Sequence, residues 1–342
     1  MLAEPFHEVI GHEEVVELLR RDSANPAQAY LFTGADGVGK ATVALEFAAL
    51  LLCGPESDAR CRRLALAATH PDLVVVEPEG ATSLGVDQAR AMVTRSSLRP
   101  VESNRTVFLV PDAGTMTEQA ANALLKTLEE PTASVVFLLA AESEDDFPST
   151  VASRCRTIHL GRVPAETVVA ALVKRGLPED EAGGVAAVAG GRPGLALALM
   201  EQPEVSRFRD LWLSIPGSVT PHPGDGQRLA GEVIRELGPL VESSVPEDLA
   251  KDKKQRALRR SEQALLVNGL EILASWYSDS ASLQMGGPVR NSDLPLGPFT
   301  DITPRKAVSS AELVLDAVVD IQANLRREMV LANLFAALGS EG

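Results

Sequence analysis

The feature that most constrains this chain is the run Gly34-Ala35-Asp36-Gly37-Val38-Gly39-Lys40-Ala41-Thr42. It fits G-x-x-x-x-G-K, a loop whose backbone N–H groups and lysine cradle phosphates. Alanine follows the lysine, where serine or threonine would hold a magnesium ion. Such a loop needs a strand before it and a helix after it. Ala29-Tyr30-Leu31-Phe32-Thr33 reads as a buried strand and Val43 to Leu52 as a helix, so that context is present. Gly34, Gly37 and Gly39 let the backbone fold back, the helix contributes its positive end, and Lys40 supplies formal charge. Ala41 cannot ligate metal, and on a helix Thr42 is turned about 100° away. The expectation is a nucleotide-binding architecture that has lost part of its metal chemistry.

Further strand-like runs follow at Leu73-Val74-Val75-Val76, Thr106 to Val110 and Val135 to Ala140, with helical spacing between them at Gly85 to Thr94 and Glu118 to Glu130. Strands alternating with helices predict a parallel sheet in a three-layer α/β domain. From about Pro164 the strand signals fade. Pro164 to Gly176 and Glu179 to Ala189 read as short helices, and Gly190 to Gly194 as a break. A third region starts near Arg207, with a loop at Pro216 to Gly226 and a long helical stretch from Leu249 to Ser278. A Gly/Pro-rich loop from Gly286 to Pro304 precedes a periodic helix pair near Ser309 to Leu338. The fold class expected is α/β followed by all-α.

At 342 residues the chain exceeds what one core usually serves, so two or three domains are expected. A net charge of −15 argues against coating nucleic acid through the overall field, without excluding a local basic patch. No stretch approaches the roughly 20 apolar residues of a membrane span. The N-terminus lacks the basic and apolar regions of a signal peptide. Three cysteines do not suggest a disulfide framework. A cytoplasmic location is expected.

Glu118-Gln119-Ala120-Ala121-Asn122-Ala123-Leu124-Leu125-Lys126-Thr127-Leu128-Glu129-Glu130-Pro131, with Ser153-Arg154-Cys155-Arg156 further on, closely resembles the AAA+ clamp-loader subunits of bacterial DNA polymerase III. Thr69-His70-Pro71-Asp72, Pro78-Glu79-Gly80, Gly191-Arg192-Pro193-Gly194 and Ala332-Asn333-Leu334-Phe335 extend the likeness, which is loose from about 207 to 310. The resemblance implies a RecA-like AAA+ core over residues 1–161, a small helical lid over 162–206 and a C-terminal helical collar over 207–342 that assembles a five-subunit ring. Against the family's pattern, Pro111 replaces the first acid of the metal-binding pair and leaves Asp112. The sensor threonine falls near Ala141-Glu142, and the lid arginine falls at Gly194. With Ala41 these departures make intrinsic hydrolysis improbable, which is similar to the delta-prime branch rather than to the hydrolysing tau and gamma branch. An active tau/gamma-like motor is the rival reading.

The resemblance also gives Arg154 a role, as an arginine finger reaching into a neighbouring subunit's nucleotide site, with Arg156 the nearest alternative. A planar, permanently charged guanidinium suits charge on a transferring phosphoryl group. Cys155 is expected to be a packing residue. The family often carries a four-cysteine zinc module before the His-Pro-Asp segment. Only Cys53 and Cys61 remain of it, so zinc is not expected, and Cys53 is expected in the core with Cys61 a loop thiol. No cofactor is required on this reading beyond weak binding of ATP or ADP. The implied partners are the delta and tau/gamma subunits and, through the assembled complex, the sliding clamp and primed DNA. The basic run Lys251 to Arg260 and the acidic cluster Glu142 to Asp146 read as solvated surface.

Overall fold

The computed structural model describes residues 4–55, 59–78, 83–130, 132, 134–200, 205–222, 224–243, 245, 251–289, 291, 294 and 297–340. Glu79, Gly80, Pro131 and Leu249 lie outside them, as do the side chains of Lys253 and Arg256. Two compact units make up the chain: Met1–Lys174 with Gly191–Leu195, and Arg175–Gly190 with Ala196–Gly342.

In the first unit the order is α1 (Glu13–Asp22), β1 (Ala29–Thr33), α2 (Lys40–Cys53), α3 (Ala59–Leu66), β2 (Leu73–Val75), α4 (Val86–Ser96), β3 (Thr106–Val110), α5 (Glu118–Glu129), β4 (Val135–Ala141), α6 (Ser149–Ala152), β5 (Arg156–His159) and α7 (Ala165–Lys174). All five strands are parallel, in the order β2-β3-β4-β1-β5. Every residue of β1, β3 and β4 is buried. A sheet covered on both faces explains why those strands are unbroken apolar runs rather than alternating ones. Period two then sorts their side chains. Tyr30, Phe32 and Leu138 join Phe47 of α2 in one cluster, while Leu31, Phe108 and Phe137 join Met92 of α4 and Leu124 of α5 in the other.

β5 lies outside the strands expected from sequence. Only Ile158 of its four residues is buried, so no apolar run announces it. Its register on β1, Tyr30 opposite Arg156 through Thr33 opposite His159, supplies the pairing that its composition does not suggest.

Asp72, just before β2, ties that strand to the segment leading into the neighbouring β3. Its buried carboxylate accepts the backbone N–H groups of Val101 at 2.6 Å, Glu102 at 2.8 Å and Ser103 at 2.7 Å. Burial alone would raise its pKa, but those three donors favour the anion more strongly, and the net value lies below the ordinary one. This single side chain therefore pins the connection between α4 and β3.

The second unit is helical: α8 (Glu179–Ala189), the later residues of α9 (Pro193–Leu199), α10 (Val205–Ser218), α11 (Asp225–Ser243), α12 (Lys251–Gln284), α13 (Pro304–Gln322) and α14 (Arg327–Ser340). An α/β unit followed by helices is thus the fold class that the sequence predicts. The loop expected from Pro216 is shorter, because α10 carries Pro216 in its final turns and α11 begins at Asp225. α10 rests on α12 through the fully buried Trp212, whose ring lies where a Cβ on Gly269 would stand, 1.9 Å from Cε2. Lys251, Arg259 and Arg260 of the basic run are exposed. Among the described residues, no helix is long and apolar enough to cross a membrane.

Two outcomes are expected. Gly269→Ala forces the Trp212 ring aside and lowers stability by about 1–3 kcal/mol or more, read from the denaturant midpoint and from tryptophan fluorescence. Asp72→Ala takes the acceptor from three part-buried N–H groups and costs about 1–3 kcal/mol. In the native chain, the stabilisation from Asp72 is complete above pH about 4 and lost as pH falls through its depressed pKa. Acid titration of the wild type and Asp72→Ala should therefore converge at low pH.

Candidate functional site: a phosphate loop and an arginine turn

The phosphate loop leaves β1 at Gly34 and enters α2 at Lys40. Gly34, Gly37 and Gly39 all have positive φ, at 142°, 80° and 105°, as the fold-back requires. At Gly34 a Cβ would also stand 2.2 Å from the Leu160 carbonyl oxygen. Because Gly39 caps the helix, α2 starts at Lys40 rather than at the Val43 expected from apolar periodicity. The Lys40 ammonium is buried and donates to the carbonyl oxygens of Gly34 at 2.7 Å and Ala35 at 2.9 Å. The lysine is therefore folded onto its own loop.

Three acidic side chains meet there. Glu142, just past β4, has a carboxyl that the surrounding protein desolvates, raising its pKa above the ordinary value. Asp36 and Asp146 push the same way and Lys40 opposes them. Glu142 also accepts the Gly34 N–H through its carbonyl, at 3.1 Å. The acidic cluster expected as plain solvated surface is partly structural. The Asp146 carboxylate accepts the N–H groups of Glu142 and Ser143 at 3.0 and 2.9 Å.

From the other side the Gly191–Leu195 segment closes on the loop. The Gly194 N–H donates to the Gly37 carbonyl at 2.8 Å, and a Cβ on Gly194 would stand 3.0 Å from that oxygen. Glycine at this position thus permits a backbone contact where the family pattern has an arginine. Arg192 is buried, with its Cβ 3.4 Å from where a Gly37 Cβ would stand. A magnesium–nucleotide complex does not fit these residues. Position 41 lacks a hydroxyl, position 111 lacks a carboxylate, and Glu142 already lies in the field of the Lys40 charge.

Arg154 lies in the tight turn between α6 and β5, held by backbone bonds from Arg154 N to Val151 O and from Cys155 N to Ala152 O, each 3.0 Å. Its guanidinium donates through Nη1 to the Thr150 carbonyl at 2.6 Å and through Nη2 to Glu129 Oε1 at 2.5 Å. About a third of the side chain is exposed, at 34%. Arg156 sits differently. Its Nη1 meets Asp22 Oδ2 at 2.5 Å, and that carboxylate, 13% exposed, also accepts the Tyr30 hydroxyl. Arg156 is itself 44% exposed but has the more enclosed counterion, which leaves Arg154 as the guanidinium with a half-exposed counterion. Burial raises the Cys155 thiol to about 11, in keeping with a packing residue.

One expectation is corrected. Cys53 and Cys61 are not a separate core residue and loop thiol but a disulfide. α2 ends at Cys53 and α3 doubles back along it, bringing the two Cα atoms to 5.8 Å, within disulfide reach. Arg62, next in the chain, seals the same pair of helices by donating to the buried Glu46 Oε2 at 2.6 Å. Donor atoms of Cys53, Cys61 and His70 lie within 4.8 Å of one another. The two sulfurs are bonded together, His70 Nδ1 accepts the Asp72 N–H at 3.1 Å, and among the described residues no fourth donor joins them. A four-ligand zinc site does not fit this set.

Residues 11–164 match the family described as DNA polymerase III, delta subunit. The chain is similar to DNA polymerase III subunit delta' of Pseudomonas aeruginosa, 35% identical over 263 residues, or 75% of this chain and 71% of that one. To subunit delta' of Escherichia coli it is 35% identical over 181 residues, and there the match spans about half of each protein, 51% and 54%. A solved structure from Thermotoga maritima, a DNA polymerase III gamma subunit-related protein, aligns over 94% of this chain and 98% of that one, at 20% identity and a TM-score of 0.47.

If internal carboxylates hold nucleotide off, Glu142→Gln should tighten ADP binding to the isolated chain by about fivefold, equivalent to about 1 kcal/mol of repulsion removed. Calorimetric titration of both proteins measures it. Equal affinities would show that Glu142 does not guard the loop.

Proposed function

We propose a role that starts from kinship: this chain belongs to the delta-prime family of DNA polymerase III subunits, and it acts as a non-hydrolysing member of the replicative clamp loader. It assembles with the delta and tau/gamma subunits in the cytoplasm and presents Arg154 to a neighbour's nucleotide site. The assembled complex then places the sliding clamp on primed DNA.

The observation that carries this reading is the self-satisfied phosphate loop. Lys40 is bonded to Gly34 and Ala35, Gly194 closes on Gly37, and no hydroxyl follows the lysine. These features count against the rival tau/gamma-like motor. Arg154 supports the second half, since its guanidinium is partly exposed on a rigid turn. A permanent planar charge is what a phosphoryl group in transfer needs beside it.

On this reading the chain comprises an AAA+ core, a helical lid and a collar, and the collar meets the other subunits. Exposed apolar side chains on α13 and α14 support that: Leu315 at 51%, Val319 at 62% and Met329 at 57%. The two helices border a groove of about 480 Å³ lined by Leu313, Leu325, Met329 and Leu334 among others.

Purified alone, the chain should show no ATP turnover, and it should copurify with delta and tau/gamma subunits. In the reconstituted loader, Arg154→Ala should slow hydrolysis at the site it faces by on the order of 10³-fold, with subunit association kept. Turnover by the isolated chain, or a loader indifferent to Arg154→Ala, would overturn the reading.

A further inference from the structure

We propose that Glu129 is a positioning residue for Arg154: it latches the guanidinium onto its own subunit and surrenders it to a phosphoanion offered by a neighbour. This rests on the finger role given above to Arg154 and adds a competitor that the role itself does not require.

Glu129 closes α5. Carboxylates are disfavoured at a helix C-terminus, where the backbone carbonyls concentrate negative potential, and a cation is favoured there. Glu129 and Glu130 both stand at this end of α5. The Arg154 guanidinium supplies a countercharge, with Nη2 2.5 Å from Glu129 Oε1 and Nη1 anchored on the Thr150 carbonyl at 2.6 Å. A longer contact from Nη1 to Ser153 Oγ, at 3.4 Å, adds to these two. A guanidinium has five N–H donors in a rigid fork. These three contacts leave others available to a further acceptor.

The latch is also one that yields. Glu129 is 47% exposed and Arg154 34%, so solvent and salt screen their attraction. A polyphosphate carries more charge than one carboxylate and offers several oxygens to the same fork. Glu129 therefore holds Arg154 when no phosphate is presented and competes with phosphate when one is. By contrast, Arg156 is bound to the more enclosed Asp22, which also accepts the Tyr30 hydroxyl.

Two measurements on Glu129→Gln test this. In the isolated full chain, nitrogen NMR of the Arg154 guanidinium should show hindered rotation in the wild type and faster rotation in the variant. Equal rotation in both proteins overturns the latch. In the reconstituted loader, the variant's KM for ATP should fall about two- to fivefold, the range of a half-exposed ion pair, with kcat changing less than KM. The difference should shrink as salt is raised. A fall in kcat at constant KM would make Glu129 a support of the engaged finger rather than a competitor, and unchanged constants would leave it no role; either result overturns the proposal. Arg154→Ala in the same loader keeps the two failures apart. If that substitution is harmless the finger reading fails, whatever the NMR shows. If it is harmful while Glu129→Gln changes nothing, only the latch fails.

Discussion

A buried ammonium must find acceptors, and the rest of the phosphate-loop region is arranged around that need. Lys40 takes the Gly34 and Ala35 carbonyls at 2.7 and 2.9 Å, which keeps the loop curled over the start of α2. The curl fixes where Gly37 presents its carbonyl, and that carbonyl receives the Gly194 N–H. Gly34 in turn is tied to Glu142 at the end of β4 and crowded by Leu160 after β5. Three chain segments far apart in sequence thus converge on one loop. In a loop built for phosphate, the ligand would share in satisfying the ammonium. Here the Gly34 and Ala35 carbonyls hold the ammonium and the Glu142 carboxylate lies in its field.

The first unit was largely legible from sequence. Buried parallel strands are continuous apolar runs, and β1, β3 and β4 stand out for that reason. β5 does not, because an edge strand with one buried residue has no periodic signal and owes its existence to pairing with β1. The helical unit was less legible. α11 carries Pro239 and α10 carries Pro216, and a breaker inside a helix hides the element from local rules although tertiary packing tolerates it.

Within the site, the motif residues were visible because spacing alone marks them, whereas their counterions were not. Glu142 and Glu129 lie inside segments singled out for other reasons, and nothing in their own positions says what they face. Glu129 offered one physical hint, a negative charge at the wrong end of a helix, which implies a cation nearby without saying which. The disulfide shows the limit most clearly. Cys61 lies eight positions after Cys53, and only the helical hairpin turns that spacing into contact.

The register of β5 on β1 also gives the molecule a direction. The phosphate loop departs from the end of β1 after Thr33, beside His159, whereas Arg154 precedes the beginning of β5, beside Tyr30. Strands advance about 3.3 Å per residue, so parallel pairing sets loop and guanidinium at opposite ends of the two strands, roughly 15 Å apart. A protein that gives at one end and receives at the other stacks head to tail, and such a series continues only while each member can do both. In the role proposed above, this chain gives Arg154 and takes no nucleotide of its own, which makes its place in such a series a terminus.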